Sequence, residues 1–106
     1  MSAAAYSEVL VVLTVAPALE EPLIDWLLAR PESSGFTCSQ AFGHSARNEH
    51  LSPREQVTGR QRRTQFQVVM QDSQLGAFLA EARRTFAGAD LHYWVLPVIA
   101  EGRLSI

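Results

Sequence analysis

Lysine is absent from this sequence: all nine basic side chains are arginine. A guanidinium group reads planar anions through paired donors, where a lysine acts as a point charge. A GC-rich genome would produce the same bias without any functional cause. An excess of charge is also missing. The formal net charge is -2, which gives no electrostatic footprint for nucleic acid or for an anionic membrane surface. The single cysteine, Cys38, excludes an internal disulfide and makes a reducing compartment the default. The first apolar run, Val9 to Val15, has no basic stretch before it and is far too short to span a bilayer. The expectation is a cytoplasmic protein with no nucleic-acid partner and no direct membrane insertion. A nucleophile beside a base, paired carboxylates on one face and a Gly-rich phosphate loop are all missing. The residues therefore give no ground for an enzyme.

What is present is an ordinary globular composition over 106 residues, with 47% hydrophobic and 19% charged side chains. That is enough for one domain with one core, and residues 1–106 are expected to form it. EVLVVLTV, residues 8–15, is continuous, β-branched and apolar, as in a strand covered on both faces. Leu19, Leu23, Trp26 and Leu27 then mark one face of a helix beginning near residues 18–20, with Pro22 in its first turn and Pro31 beyond its end. Phe36, Cys38, Gln40 and Phe42 alternate as in a second strand closed by Gly43. On that alternation Cys38 is expected to be a small core residue. From His44 to Gly59 the sequence is polar and without period, so a long loop is expected.

TQFQVVMQ, residues 64–71, reads as a third strand, with Asp72 or Ser73 as the cap of a second helix. Leu75, Phe78, Leu79, Ala82 and Phe86 give that helix its apolar face, and Gly88 suits the position just past its end. LHYWVLPVI, residues 91–99, is a fourth strand. The order βαββαβ is a ferredoxin-like α+β fold: a four-stranded antiparallel sheet with two helices on one face. Its other face then lacks cover, although the first and last strands are apolar on both sides. An uncovered apolar sheet face predicts self-association.

The chemistry-bearing residues gather around the long loop. Arg60 and Arg62 fall on one side of the strand entering from GRQRRT and Arg63 on the other. Two converging guanidinium groups beside a glycine make an anion site; the plain alternative is a charged strand end. His44 and His50 flank Glu49, a labile metal site that two histidines do not fill. Asp25 and Glu81 read as solvated residues on the polar sides of helices, and His92, after Asp90 on the last strand, as a structural side chain in preference to an interface contact. A copper-chaperone domain would place CxxC after the first strand, where this chain has APAL, and an RNA-recognition domain would need more than Phe66 on its central strand.

PALEEPLIDWLL, GFTCSQAFGH, LSPREQVTGRQRRTQFQV and LHYWVLPVIAEGRL together resemble the PII-like proteins, the superfamily of nitrogen-regulatory PII and CutA. More narrowly, they resemble a small PII-like family often encoded beside heavy-metal efflux pumps. The resemblance implies a homotrimer with its sheets packed together and a non-enzymatic regulatory role. It implies a small effector in the clefts between subunits and a partner-contacting loop at residues 44–59, with a membrane efflux protein as regulatory target. It makes Gly43 the glycine that opens the loop. Gly43, Gly59, Arg60, Arg62 and Arg103 are the expected ligand-binding set, and His44 and His50 the metal pair of a CutA-like alternative. PII proteins that bind ATP carry a Gly-rich stretch with a lysine before the last strand. Here that place reads FAGADLH. Adenine nucleotide, bicarbonate and a divalent metal therefore all stand as candidate effectors. A small oxygenase on a ferredoxin-like barrel is the least favoured reading.

Overall fold

The computed structural model describes residues 7–33, 35–44 and 60–105. Strand β1 covers Glu8–Val15, followed by a 3-10 turn at Pro17–Leu19 and helix α1 at Glu20–Leu28. Strand β2 covers Phe36–His44 and β3 covers Arg60–Gln71. Helix α2 covers Asp72–Thr85, and β4 covers Leu91–Pro97. All pairings are antiparallel and the strand order is β2-β3-β1-β4. This is the ferredoxin-like arrangement, with both helices packed against one side of the sheet.

Pairing follows the alternation of side chains. Val9, Val11, Leu13 and Val15 stand opposite Met70, Val68, Phe66 and Thr64. Together with Leu23 and Leu27 of α1 and Leu75 and Phe78 of α2, the apolar members of that set form one buried cluster. Trp26 bridges the two helices, with its ring centroid 5.2 Å from Phe78 and 5.6 Å from Phe86. Ser33 closes α1 from beyond its end. Its hydroxyl donates to the carbonyl of Leu27 at 2.5 Å, which also accepts the Arg30 N–H at 3.1 Å.

The boundaries differ from the sequence reading in instructive places. β3 begins four residues earlier than expected, so the arginine cluster belongs to the ladder. Neither Asp72 nor Ser73 caps α2: the N-cap is Gln71, extended and without a side-chain bond. The cause is that β3 runs into the helix with no intervening loop, so the cap position falls on the last strand residue. Asp72, the first helical residue, donates its N–H to the carbonyl of Ser7 at 2.8 Å. Gly88 has φ +82°, the only positive φ among the described residues, in the turn leading to β4.

Cys38 is not a core residue; it is exposed. Its partner across the ladder is Phe66, which is fully buried. The alternation was therefore right, but β2 is an edge strand. Within β2 only Phe36 joins the core, and Thr37 to Gln40 are all exposed.

Candidate functional site

The two faces of the sheet are chemically distinct. On the face away from the helices stand Leu10, Val12 and Thr14 of β1, Val69 and Gln67 of β3, and His92, Trp94 and Leu96 of β4. Trp94 and Leu96 keep 46% and 47% of their surface in water. They are the large side chains that a packed sheet face would be expected to cover. Near the end of β1 on that face the hydroxyl of Thr14 is buried with no hydrogen-bond partner among the described residues.

At the end of the sheet formed by Ala41–Gly43 of β2 and Gln61–Arg63 of β3, polar side chains stand beside Phe42. Arg62 is exposed and stands opposite Phe42, which is 51% exposed. The two border a small hollow of about 90 Å³ shared with Pro17, Glu20 and Thr64. The Thr64 hydroxyl donates to the Glu20 carboxylate at 2.7 Å, tying the start of α1 to β3. Arg63 points to the other face. Its guanidinium donates to Gln61 Oε1 at 2.8 Å and to Asp90 Oδ2 at 3.1 Å, linking β3 to the residue before β4. Arg63 is therefore a fastening between strands, with only 14% of its side chain exposed.

Of the expected ligand set, Gly43 lies in β2 one residue before its end, opposite Gln61. A Cβ built there would meet Gln61 and Arg63 at 3.6 Å or more, an ordinary contact, and its φ is not left-handed. His44, the last residue of β2, is opposite Arg60 in register. Gly59 and His50, together with most of the expected loop, lie outside the described residues. Among the described residues no cluster of three metal-capable side chains exists. Arg103 is not joined to Arg62 within one chain. β4 pairs its last residue, Pro97, with Val9, at the end of β1 far from the arginines, and the tail leaves from there.

Two further hollows flank the sheet. One, of about 180 Å³, lies between the end of α2 and β4, lined by Leu79, Arg83, Phe86, Gly88, Leu91 and Tyr93. The turn beneath it is closed by its own bonds, Ala89 N–H to Phe86 O and Leu91 N–H to Ala89 O, both 3.0 Å. The larger, of about 560 Å³, sits at the opposite end of the sheet from the arginines, between the start of β2 and the end of β3.

Sequence reasoning missed Arg63–Asp90 and Thr64–Glu20. Both pairs are remote in sequence and become neighbours only through the register of β1 with β3 and β4. The signal that could have pointed to them was the arginine of GRQRRT that alternation sets apart from its two neighbours.

The strand order and the two helices packed on one side define the class: a ferredoxin-like α+β domain. Within that class the chain belongs to the DUF3240 family, described as proteins of unknown function, whose profile matches residues 5–105. A crystal structure of a DUF3240 family protein from Shewanella baltica OS155 superposes with a TM-score of 0.77 at 22% identity, covering 93% of this chain and 98% of that one. CutA from Synechococcus elongatus PCC7942, complexed with Bis-Tris, gives 0.68 at 14% identity, covering 96% and 88%. The GlnK–ATP complex of B. subtilis gives 0.54 at 16% identity, covering 88% and 85%. No curated protein matches the chain. Among the described residues no helix is long and apolar enough to cross a membrane.

Proposed function

We propose that this chain is a PII-like regulatory protein, a cytoplasmic homotrimer whose subunits turn their bare sheet faces toward one another. On this reading a small anionic effector binds at the cleft between subunits and residues 44–59 convey its presence to a partner, a membrane efflux system. The observation that carries the reading is the uncovered face bearing Trp94 and Leu96 on a fold whose helices already bury the other side of the central strands β1 and β3. Partly exposed aromatic and aliphatic side chains side by side on a flat sheet are the compositional mark of an interface core. The fold likeness to CutA and GlnK supports the class. It supplies no ligand, because at these identities only the fold is shared.

Arg60, Arg62 and, from a neighbouring chain, Arg103 are the proposed anion contacts, since guanidinium groups offer paired donors to phosphate or carboxylate oxygens. Native mass spectrometry of the intact protein, followed by calorimetry with ATP, ADP, AMP, bicarbonate and divalent metals, tests the proposal. A trimer that binds one of the anions, with binding weakened roughly tenfold or more when Arg60 and Arg62 are both replaced by alanine, supports it. Unchanged binding in the double variant would reduce these arginines to a charged strand end. A metal signal lost on replacing His44 and His50 would favour the CutA-like alternative instead.

A further inference from the structure

The hollow between the end of α2 and β4 takes no part in the proposed effector cleft. It exists for local reasons. Leu79, Ala82 and Arg83 of α2, with Phe86 just past its end, recur at helical spacing and so share one face. Across from them stand Leu91 and the ladder partners Leu13 and Tyr93. Alanine at position 82 leaves the space between unfilled. The turn that follows, Ala87-Gly88-Ala89, is made of small residues, and a Cβ added to Gly88 would meet nothing within 4 Å. Small side chains on the helix and the turn thus leave about 180 Å³ open at this corner.

Floor and mouth differ in chemistry. Leu13 and Ala82 are buried and Leu79, Phe86 and Leu91 partly so, which makes the floor apolar. The mouth carries one charge. Arg83 is exposed and has no ion-pair partner among the described residues. The nearby carboxylates are taken, Glu81 by Arg84 and Asp90 by Arg63, and none lines the hollow. The phenol of Tyr93, 45% exposed, is the other polar side chain on the wall. An apolar space of this size accepts a single ring, since a cavity of about 150 Å³ in another protein holds benzene. An unneutralised guanidinium at its edge favours an anion, and a carboxylate matches its paired donors. Inorganic phosphate would leave the apolar floor unused, and a hydrocarbon would leave the cation unused.

We propose that this hollow binds a small organic carboxylate with an apolar body about the size of one ring. The carboxylate sits on Arg83 and the body lies against Leu13, Leu79 and Phe86. The site is complete within one subunit. It stands apart from the homotrimer and from the anion contacts proposed at Arg60 and Arg62.

Benzoate is the probe. The full-length, isotope-labelled protein is titrated with sodium benzoate while its amide resonances are followed, with sodium chloride at matched ionic strength as the blank. Saturable shifts are expected at Gly88, Ala89 and Leu91, and none at Gly43 beside the arginines of β3. Arg83→Gln should weaken benzoate roughly tenfold. It should leave the shifts caused by benzyl alcohol, which has the ring without the charge, as they were. That split separates a charge contact from a general loss of structure. Leu79→Trp, filling the hollow from a partly exposed position, should abolish the benzoate shifts while the amide pattern of β1 and β3 stays; should that variant not fold, Arg83→Gln alone decides. No saturable shift with benzoate, shifts centred on Arg60 and Arg62 instead, or unchanged benzoate affinity in Arg83→Gln overturns the site. A protein that sediments as a monomer and still binds benzoate here supports the site and overturns the homotrimer.

Discussion

The two faces of one sheet have opposite relations to solvent, although β1 supplies apolar side chains to both. Toward the helices, Val9, Val11, Leu13 and Val15 are fully buried within the subunit. Toward the open side, Val12 is also buried, but its neighbours Leu10, Trp94 and Leu96 retain exposure. The first face is finished by the chain's own helices. The second carries an apolar strip, Leu10, Val12, Val69, Trp94 and Leu96, among polar neighbours such as Gln65, Gln67 and His92. That difference separates residues that hold the subunit together from residues that its own helices leave uncovered, and substitutions on the two faces should fail in different ways.

The largest effect belongs to the finished face. Phe66 is fully buried at the centre of the sheet, against Phe36 at a centroid distance of 6.0 Å. Phe66→Ala should cost about 3–5 kcal/mol through lost burial and the cavity left behind. Denaturant unfolding measures it. A cost near that of a surface substitution would show that the helix-covered cluster is not the source of stability.

A smaller effect of opposite sign is expected on the open face. The buried hydroxyl of Thr14 has no partner among the described residues, so Thr14→Val removes a desolvated polar group at nearly constant shape. It should stabilise the protein by about 1 kcal/mol, visible as a raised denaturation midpoint. Destabilisation would mean that the hydroxyl is satisfied in the assembled protein, and the open face would then hold a polar contact near the end of β1.

The smallest effect lies on the outside of the helix layer, where the surface is ordinary. A hydrogen bond from Arg84, with burial opposing it and the charges of Arg84 and Arg30 adding to it, holds the Glu81 carboxyl below its usual 4.5. A depressed folded-state value stabilises above the ordinary carboxyl range, and that contribution disappears as pH falls through the depressed value. Because the pair is solvated, Glu81→Gln should lower the thermal midpoint only slightly at neutral pH and not at all in strong acid. A large neutral-pH loss would show that this outer surface is also part of an interface.

Most of the fold was legible because its period signals are local. The run at residues 8–15, the spacing of Leu23, Trp26 and Leu27, and the stripe Leu75–Phe78–Ala82 each settle an element without reference to any other. Pro22 sits in the first turn of α1, and Gly88 in the turn after α2, as their backbone chemistry requires. The misreadings came from properties that no local window contains. Cys38 looks like a core residue until β2 is known to be the edge. Asp72 looks like a cap until β3 is known to enter α2 directly. For the candidate site, alternation separated Arg62 from Arg63 correctly, but the partner of Arg63, Asp90, becomes its neighbour only across the end of β1. The distance between Arg62 and the tail carrying Arg103 likewise follows from strand order, which composition does not encode.

The central claim is that the open face is an interface between copies of this chain, and sedimentation velocity on the unmodified protein and on Trp94→Asp tests it most directly. The account predicts a single species of three 11.7 kDa chains for the unmodified protein. For Trp94→Asp it predicts monomers with an intact far-ultraviolet spectrum, because the charge enters the interface and not the subunit core. A folded monomer for the unmodified chain, or a trimer undisturbed by the aspartate, would contradict it.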